Sequence, residues 1–331
     1  MTASDIPLLV HDSPATTIGY LLIPNFSLLS YASASEPLRA ANTLSGQPLY
    51  RWRHLSPDGA AVAASNGVTI TPDLRLEDAA TLNLLFVVAG GNPAAFRDRA
   101  TLTRLRRLSQ SKLAIGGISG GAYILARAGL LRGYRCTLHW EHAESFREDF
   151  PDLDLRRSRY EIDRDRVTCS GGTAPLDLLH ELIARQHGAA LARRVSDWFL
   201  QTEIRASTGP DRMAPGPRLG VGNPALQKVL AAIEAQTDAP LSPRELAALA
   251  GLSVRQLERL FRTHLGVAPR THDRHVRLDR ARLLLRQTSL SVLEVAVACG
   301  FTSASHFSRI YRAAFGHPPM RERKPVTPDI A

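Results

Sequence analysis

The sequence is poor in cysteine and has no long apolar run. Its 331 residues include three cysteines, Cys136, Cys169 and Cys299, which lie far apart. They make neither a disulfide framework nor the spacing of a metal site, so a reducing compartment is expected and no metal or cofactor is predicted. No apolar stretch approaches the roughly 18–20 residues of a membrane span, and no secretory-signal pattern is recognisable. These absences predict a cytoplasmic protein without a membrane partner.

Positive charge is concentrated in the last third of the chain. The whole sequence carries a formal net charge of +10. From residue 223 to the end, 16 Lys and Arg face 9 Asp and Glu, whereas the first 222 residues carry 25 against 22. A locally basic segment is typical of a module that binds phosphates, so the last third is the candidate for contact with nucleic acid.

A pattern of Leu, Ser, Glu, Ala and Gly occurs twice in this basic third, at 241–253 and at 290–302. Each copy opens with Ser-x-x-Glu, once as Ser242 with Glu245 and once as Ser291 with Glu294. This is the signature of a capping box, in which the hydroxyl accepts from a free backbone N–H and the Glu accepts from the Ser N–H. A short helix is therefore predicted to start at each serine.

Each copy continues with a glycine stop and a second helix. Gly251 and Gly300 stand where the short helix would end, because glycine adopts the left-handed conformation at little cost. The second helices are predicted to begin at Ser253 and near Thr302. Their apolar residues follow the i, i+3, i+4, i+8 spacing of one buried stripe. Those residues are Leu257, Leu260, Phe261 and Leu265 in the first copy, and Phe307, Ile310, Tyr311 and Phe315 in the second.

Two helices joined by a glycine turn, with a basic outer face on the second, predict a helix-turn-helix. Arg and Gln can bind base edges in a major groove, and Arg and Ser also reach phosphates. The alternative is that these are ordinary solvated residues, but matched caps, turns and arginines in two copies favour DNA binding. The predicted DNA-binding residues are Ser253, Arg255, Gln256, Arg259, Arg262, Ser303, Ser305, His306, Ser308, Arg309 and Arg312.

The first two-thirds of the chain alternate apolar strands with helices. The strands are continuous apolar runs, which indicates a parallel sheet covered by helices on both faces. The predicted fold class is an α/β doubly wound domain followed by an all-α domain with two helix-turn-helix units. The strands are predicted at 17–23, 82–89, 112–118, 136–140 and 167–169, and the helices at 33–44, 97–109, 120–131 and 174–187.

A segment rich in proline and glycine and poor in apolar pattern separates the two parts. Such a composition is typical of a linker. The sequence therefore predicts a domain at 1–204, a linker at 205–222 and a domain at 223–331.

The sequence Gly117-Ile118-Ser119-Gly120-Gly121 lies between a predicted strand and a predicted helix. It matches the G-x-S-x-G elbow, a tight turn that exposes a nucleophilic serine. Asp177 and His180 follow in the chain order of a hydrolase triad, but both fall inside one predicted helix, which is a poor geometry. His139 could stand beside Ser119. Equally, Ser119 could be a helix cap and His139 a structural residue, so the motif leaves both interpretations open.

The basic third resembles the DNA-binding domain of the AraC family of transcriptional regulators over residues 223–321. The resemblance is carried by Arg280–Leu285 and by the stretch from Ser291 to Pro319. It implies a connecting helix around 271–286 and two recognition helices that enter successive major grooves on one face of the duplex. The ending at Pro318–Arg321 departs from the family, where an aromatic residue before the arginine is usual.

Residues 17–187 resemble the class I glutamine amidotransferase-like fold in its PfpI-type branch, which is flavodoxin-like. The segments that carry the resemblance are 24–26, 36–42, 88–91, 116–121, 137–140 and 170–173. In the enzymes of that superfamily a cysteine occupies the elbow, whereas this chain has Ser119. Serine lacks the low thiol pKa that makes cysteine a nucleophile. The resemblance therefore implies a domain that keeps the pocket as an effector site without its chemistry.

An effector pocket is predicted around this elbow. Backbone N–H groups after Ser119 and around 90–92 suit a carboxylate, and the resemblance places the acidic Glu36 nearby. Trp140 and Phe26 offer aromatic faces, although core packing is the alternative explanation for each of them. A carboxylate-binding end facing an acidic and aromatic end suits a zwitterion such as a betaine, carnitine or an amino acid. The predicted effector-binding residues are Phe26, Glu36, Gly91, Asn92, Ser119, Gly120, His139, Trp140 and Thr173.

Together these features predict an effector-responsive transcriptional regulator, an activator that binds double-stranded DNA as a homodimer and contacts RNA polymerase. Segments 36–46 and 63–67 also look similar to regulators of glycine betaine, carnitine and related amino-acid catabolism. The alternative from another class is a serine hydrolase or amidase fused to a DNA-binding domain. A third hypothesis is a structural DNA-associated protein without an effector.

Overall fold

The computed structural model describes residues 15–79, 82–111, 113–208, 215–288 and 290–323. They belong to two compact units, Met1–Asp211 and Arg212–Ala331. The N-terminal unit is an α/β domain and the C-terminal unit is helical.

A seven-stranded sheet forms the middle of the N-terminal unit, in the strand order β10-β11-β7-β6-β1-β2-β5. Every neighbouring pair is parallel except β10 with β11, which is antiparallel. Two small sheets lie outside it, β3 with β4 and β8 with β9. The strands are β1 (Thr16–Leu22), β2 (Tyr50–Ser56), β3 (Val62–Ala63), β4 (Thr69–Ile70), β5 (Leu74–Arg75), β6 (Leu84–Ala89), β7 (Ala114–Ser119), β8 (Arg135–Cys136), β9 (Asp154–Leu155), β10 (Tyr160–Asp163) and β11 (Arg166–Cys169).

Helices cover the sheet in two layers, because the central strands bury side chains on both faces. Ile18 and Tyr20 of β1 belong to the core that contains residues of α1, α5 and α6, whereas Leu21 belongs to the core with residues of α2, α3 and α4. Two apolar layers around a mostly parallel sheet confirm the predicted doubly wound class. The helices are α1 (Leu28–Ser45), α2 (Arg99–Leu108), α3 (Gly121–Arg127), α4 (Ala143–Asp149), α5 (Ala174–His187) and α6 (Ala189–Trp198).

The strand predicted at 136–140 is wrong. Only Arg135–Cys136 is extended, in the small sheet with β9, and a 3₁₀ turn occupies Trp140–His142. The backbone N–H of Thr137 donates to the Thr168 hydroxyl at 2.9 Å, so this segment is attached to β11 by a side chain rather than by a strand ladder. Its apolar residues pack individually and not as part of a strand, although their order in the sequence resembles that of a strand.

Several elements of this unit have no predicted counterpart, among them β2, β10, α4 and α6. Strand β2 alternates polar and apolar residues, so it lacks the continuous apolar run that identifies the other central strands. Helix α6 follows α5 directly after Gly188, whose φ of 87° turns the chain. Because a glycine usually marks the end of a helix, the sequence pattern did not predict a second helix directly after it.

The C-terminal unit consists of helices around two separate apolar cores. One core contains Leu226, Leu246 and Phe261, and the other contains Leu278, Val295 and Tyr311. Each helix-turn-helix copy therefore has its own core. The helices are α7 (Pro215–Arg218), α8 (Pro224–Ala235), α9 (Pro243–Leu249), α10 (Val254–Leu265), α11 (Pro269–Gln287), α12 (Val292–Ala298) and α13 (Ala304–Phe315), followed by a 3₁₀ turn at Pro319–Arg323.

The segment predicted as a linker, 205–222, has folded ends. Arg205 donates to Asp177, and the N–H of Arg159 donates to the Ser207 carbonyl, so the first end is bonded to the N-terminal unit. Val221 is buried in the first C-terminal core, so the second end is part of that unit. The boundaries 1–204, 205–222 and 223–331 remain a proposal.

Candidate functional site

Both copies of the repeat form the predicted helix-turn-helix. The capping boxes at Ser242/Glu245 and Ser291/Glu294 are both complete. The turn glycines adopt left-handed φ angles, 66° at Gly251 and 69° at Gly300. The predicted apolar stripes attach α10 and α13 to the two cores of the unit. Their fully buried members are Leu257, Phe261, Phe307 and Tyr311. The sequence therefore specified both units, each with its second helix presenting its other face to solvent.

The outer faces of α10 and α13 carry the predicted DNA-binding residues. All eleven are exposed except Ser308, which is half-buried. Five of them are arginines, and none of these forms an ion pair with any residue in the described part of the chain. By contrast, Arg277, Arg282 and Arg286 of α11 are paired with Asp273 or Glu322. Unpaired guanidinium groups on both second helices are thus available to phosphates or base edges.

Three of the predicted DNA-binding residues also serve the helix starts. Gln256 completes a third capping box, which the sequence analysis missed, because its Oε1 accepts from the Ser253 N–H at 2.9 Å. The signal was present as Ser-x-x-Gln. Ser303 caps α13 by accepting from the N–H of His306. Gln256 must leave this bond before it can bind a base through Oε1.

Helix α11 connects the two helix-turn-helix copies of the C-terminal unit, as expected. It covers Pro269–Gln287, whereas the prediction was 271–286. Its 19 residues span about 28 Å at 1.5 Å per residue. The guanidinium of Arg277 attaches the second turn to this helix, since it donates to the carbonyl of Gly300 and lies over the ring of Phe301 at 4.6 Å. The connector is therefore bonded to the unit that follows it.

The elbow at Ser119 has the backbone expected from the motif. Ser119 has a φ of 58° and is buried, and α3 begins two residues later. A Cβ on Gly121 would lie 1.9 Å from the Val87 carbonyl oxygen, so only glycine lets α3 approach β6 this closely. Of the backbone N–H groups after Ser119 that were expected to suit a carboxylate, that of Gly120 donates to the Ala89 carbonyl at 2.9 Å instead.

The residues of a hydrolase triad do not meet at this elbow. The Asp177 carboxylate binds Arg205 and Gln201, and the His180 ring is 2.9 Å from the Ser196 hydroxyl. His139 contributes its backbone N–H to the Ser119 carbonyl at 3.3 Å. Among the residues described, none forms a hydrogen bond with the Ser119 hydroxyl. The arrangement supplies a serine without a bonded base.

A cavity of about 220 Å³ lies beside the loop that follows β11. Of the nine predicted effector-binding residues, it brings together His139, Trp140 and Thr173. The other lining residues were not predicted from the sequence, and they include two arginines that are distant from each other in the chain. The full lining is His139, Trp140, Arg159, Ser170, Gly171, Gly172, Thr173, Ala174 and Arg205.

The other predicted effector-binding residues lie outside this lining. Phe26 is fully buried and packs edge-on against Tyr31 in the core. Glu36 is ion-paired with Arg39 at 2.6 Å. Gly91, Asn92, Ser119 and Gly120 are also not among the lining residues. The cavity is displaced from the elbow toward the start of α5.

The cavity lining contains two guanidinium groups, one of which, that of Arg205, is paired with the buried Asp177. Arg159 and Arg205 line the cavity together with the first residues of α5, whose cap residue Thr173 makes no side-chain capping bond. Gly171 and Gly172 have φ angles of 90° and 60°, backbone conformations that L side chains rarely adopt. Helix starts and guanidinium groups both attract anions, while the half-buried Trp140 supplies an aromatic face. The cavity therefore suits a small molecule with an anionic end.

Three potential metal ligands lie next to this cavity. His139, Glu141 and His142 place one ligand atom each within 4.8 Å of one another. The prediction of no metal site rested on cysteine spacing and did not consider this His-x-Glu-His sequence.

Comparison with known proteins agrees with both units. A model of the DJ-1/PfpI family matches residues 32–185, and a helix-turn-helix domain model matches residues 246–325. The HTH-type transcriptional regulator GlxA of Rhizobium meliloti is 46% identical over 309 residues, covering 93% of this chain and 95% of the relative. The chain belongs to this family of HTH-type transcriptional regulators.

A second curated relative is similar over nearly the same length, and a solved structure is similar over about half of the chain. The HTH-type transcriptional regulator CdhR of Pseudomonas aeruginosa is 46% identical over 92% of this chain and 90% of the relative. Among solved structures, an AraC family transcriptional regulator from Pseudomonas putida is 27% identical with a TM-score of 0.50, covering 56% of this chain and 99% of that one. The resemblance to AraC-type and PfpI-type domains is thus confirmed for the chain as a whole.

A search of the described helices for one long and apolar enough to cross a membrane found none.

Proposed function

We propose that this regulator is an activator whose C-terminal unit binds two successive major-groove segments and whose N-terminal unit senses a small carboxylate-bearing zwitterion. The observation that carries the DNA-binding part is the set of five exposed arginines on α10 and α13, which form no ion pair with any described residue. A homodimer, contact with RNA polymerase and a cytoplasmic location belong to the same proposal.

The two recognition faces differ in chemistry. Helix α10 presents Arg255, Arg259 and Arg262, whereas α13 presents Arg309 and Arg312 with serines and a histidine. More guanidinium groups favour guanine edges and phosphates, while small hydroxyl groups permit closer approach to the groove. The two halves of the operator should therefore differ in sequence.

The effector is placed in the cavity beside α5. Its carboxylate faces Arg159, Arg205 and the start of α5, and its cationic or methylated ammonium end faces the indole of Trp140. This keeps the ligand class suggested by the sequence but replaces most of the residues assigned to it. Glu36 is paired with Arg39 and is not part of the proposed effector site.

A sensor accounts for the elbow better than an enzyme does. The Ser119 hydroxyl lacks a bonded base within the described residues, and the Asp177 and His180 side chains are engaged elsewhere. Ser119→Ala should therefore leave the effector response intact, and neither form should turn over small amides or esters. A turnover that the substitution removes would establish the hydrolase alternative instead.

DNA binding is tested with Arg259→Ala and Arg309→Ala on a target promoter fragment. Each should weaken specific binding by about 1–3 kcal/mol if it contacts a base. If an arginine contacts only phosphate, the slope of log K against log salt should fall by about 0.9 for that variant. Arg193→Ala is the control, since Arg193 is an exposed arginine of α6 in the other unit. If both recognition variants bind like this control, the faces are misplaced.

Effector binding is tested by thermal shift with amino acids and methylated amines. Trp140→Leu should abolish the shift because it removes the aromatic face. Trp198→Leu, at a tryptophan 49% exposed on α6, should retain it. A zwitterion that stabilises both variants equally would exclude the cavity as its site.

A further inference from the structure

The N-terminal unit contains a group of metal-ligating side chains whose capacity to bind a metal ion is not used by the proposed DNA-binding or effector-binding function. We propose that His139, Glu141 and His142 bind a divalent transition-metal ion, with zinc as the reference ion. The observation is that one ligand atom from each lies within 4.8 Å of the other two. Within the described part of the chain, no other three His, Cys, Asp or Glu residues form such a group.

The local backbone explains why two histidines converge. The N–H of His142 donates to the carbonyl of His139 at 2.9 Å, which closes the 3₁₀ turn over Trp140–His142. In 3₁₀ geometry the side chains at i and i+3 eclipse, so the imidazoles of this pair lie on one side of the turn. Their ring centroids are 5.9 Å apart.

Glu141 completes the set from the same turn. A carboxylate oxygen of Glu141 lies 3.8 Å from Nδ1 of His139, and both side chains are partly exposed. An ion with bonds of about 2.0–2.2 Å would bring these atoms together with small side-chain rotations. Solvent reaches the cluster from the side of His139 and Glu141, whereas the third member, His142, is buried.

The turn is fixed to the body of the domain on its N-terminal side. The N–H of His139 donates to the Ser119 carbonyl, and the N–H of Thr137 donates to the Thr168 hydroxyl. Leu138 between them is buried. The ligands are therefore presented by an anchored segment, which lowers the entropy cost of assembling them around an ion.

The donor set selects the class of ion. Two imidazoles and one carboxylate suit zinc, nickel, cobalt or ferrous iron, whereas magnesium and calcium prefer oxygen donors alone. Three protein ligands leave a tetrahedral ion one further position for water or a small molecule. Because His139 also lines the cavity beside α5, this ion would border the space assigned to the effector.

Metal binding is measured on the tag-free full chain at neutral pH by equilibrium dialysis and calorimetry with zinc. Cobalt provides a second readout through its ligand-field absorption. One ion per chain is expected, with a cobalt spectrum of low coordination number. Changes to groups outside the ligand sphere already cost 10–100-fold in affinity, so His139→Asn and Glu141→Gln should each cost at least about 100-fold. His187→Asn, at an exposed histidine of α5, is the matched control and should bind like the parent.

Trp140 reports the location of the ion independently of affinity. It lies 5.3 Å from the His139 ring between centroids, so nickel or copper at the site should quench its fluorescence. The quenching should disappear in Trp140→Phe and persist in Trp52→Phe. Failure to bind one equivalent of zinc or cobalt overturns the proposal, as does unchanged affinity in both His139→Asn and Glu141→Gln. Binding lost on alkylation of the cysteines instead would overturn it too.

Discussion

The buried ion pair between Asp177 and Arg205 gives the sharpest prediction about the N-terminal unit. The Asp177 carboxylate is completely buried and accepts four contacts. Gln201 Nε2 donates at 2.7 Å, the backbone N–H of Arg205 at 3.0 Å, and the Arg205 guanidinium at 2.9 and 2.7 Å. These contacts hold the chain after α6 against the start of α5, and they position an arginine that lines the cavity.

The magnitude for Asp177→Asn follows from burial and exposure. Removing one partner of a buried pair costs about 3–5 kcal/mol. The Arg205 side chain is 33% exposed and can recover some hydration, and Asn retains an acceptor for Gln201 and the Arg205 N–H. We therefore expect a loss of about 2–3 kcal/mol, just below that range. For a unit of this size, each kcal/mol shifts Tm by about 2–4 °C, so the N-terminal transition should fall by roughly 4–12 °C.

The reciprocal change should be at least as severe. Arg205→Gln leaves a charged carboxylate buried without its cation, so the full penalty of about 3–5 kcal/mol is expected. In the double variant both side chains are neutral and can bond to each other, so its loss should be smaller than the sum of the single losses. A double-mutant cycle by denaturant unfolding measures this coupling.

The control is the neighbouring pair Glu181 and Arg185, on the surface of the same helix. Their side chains are 34% and 37% exposed, so Glu181→Gln should change stability by about 0–0.5 kcal/mol. If Asp177→Asn is no more destabilising than Glu181→Gln, or if the cycle is additive, the reasoning is refuted.

Three further predictions concern the C-terminal unit. Gly300→Ala should destabilise it more than Gly316→Ala, measured by urea unfolding, because an alanine Cβ at Gly300 would lie 2.8 Å from a backbone oxygen whereas that at Gly316 meets open space; the left-handed φ alone costs about 1–2 kcal/mol. Burial raises the pKa of the Glu322 carboxyl, but the hydrogen bond from Arg286 and the nearby guanidinium charges outweigh it, so the pKa lies below its ordinary value. Its contribution to stability should therefore be complete above about pH 4.5 and disappear as pH falls below it, and Glu322→Gln should flatten this dependence in acid titrations followed by circular dichroism. Ser291→Ala should cost about 1 kcal/mol of unfolding free energy by removing the cap of α12, and an unchanged urea midpoint would contradict that role.

The sequence by itself determined the features that depend on neighbouring residues. Capping boxes, turn glycines and the apolar stripes of α10 and α13 are interactions within a few residues, so their spacing predicts them directly. The same holds for the buried strands β1, β6 and β7 and for the elbow at Ser119, where the order of apolar runs and glycines is local. These features were enough to identify two DNA-binding units and a doubly wound domain.

Only the tertiary structure decided where the cavity beside α5 lies and which groups surround it. Arg159 and Arg205 reach the start of α5 from segments far apart in sequence, and the N–H of Gly120 is occupied by a carbonyl of β6. Neither fact has a local signal, because long-range pairing of side chains and backbone depends on how the strands and their connections pack. The turn that joins His139 to His142 is local in sequence, but its attachment to Ser119 and its position beside the cavity come from the folded sheet.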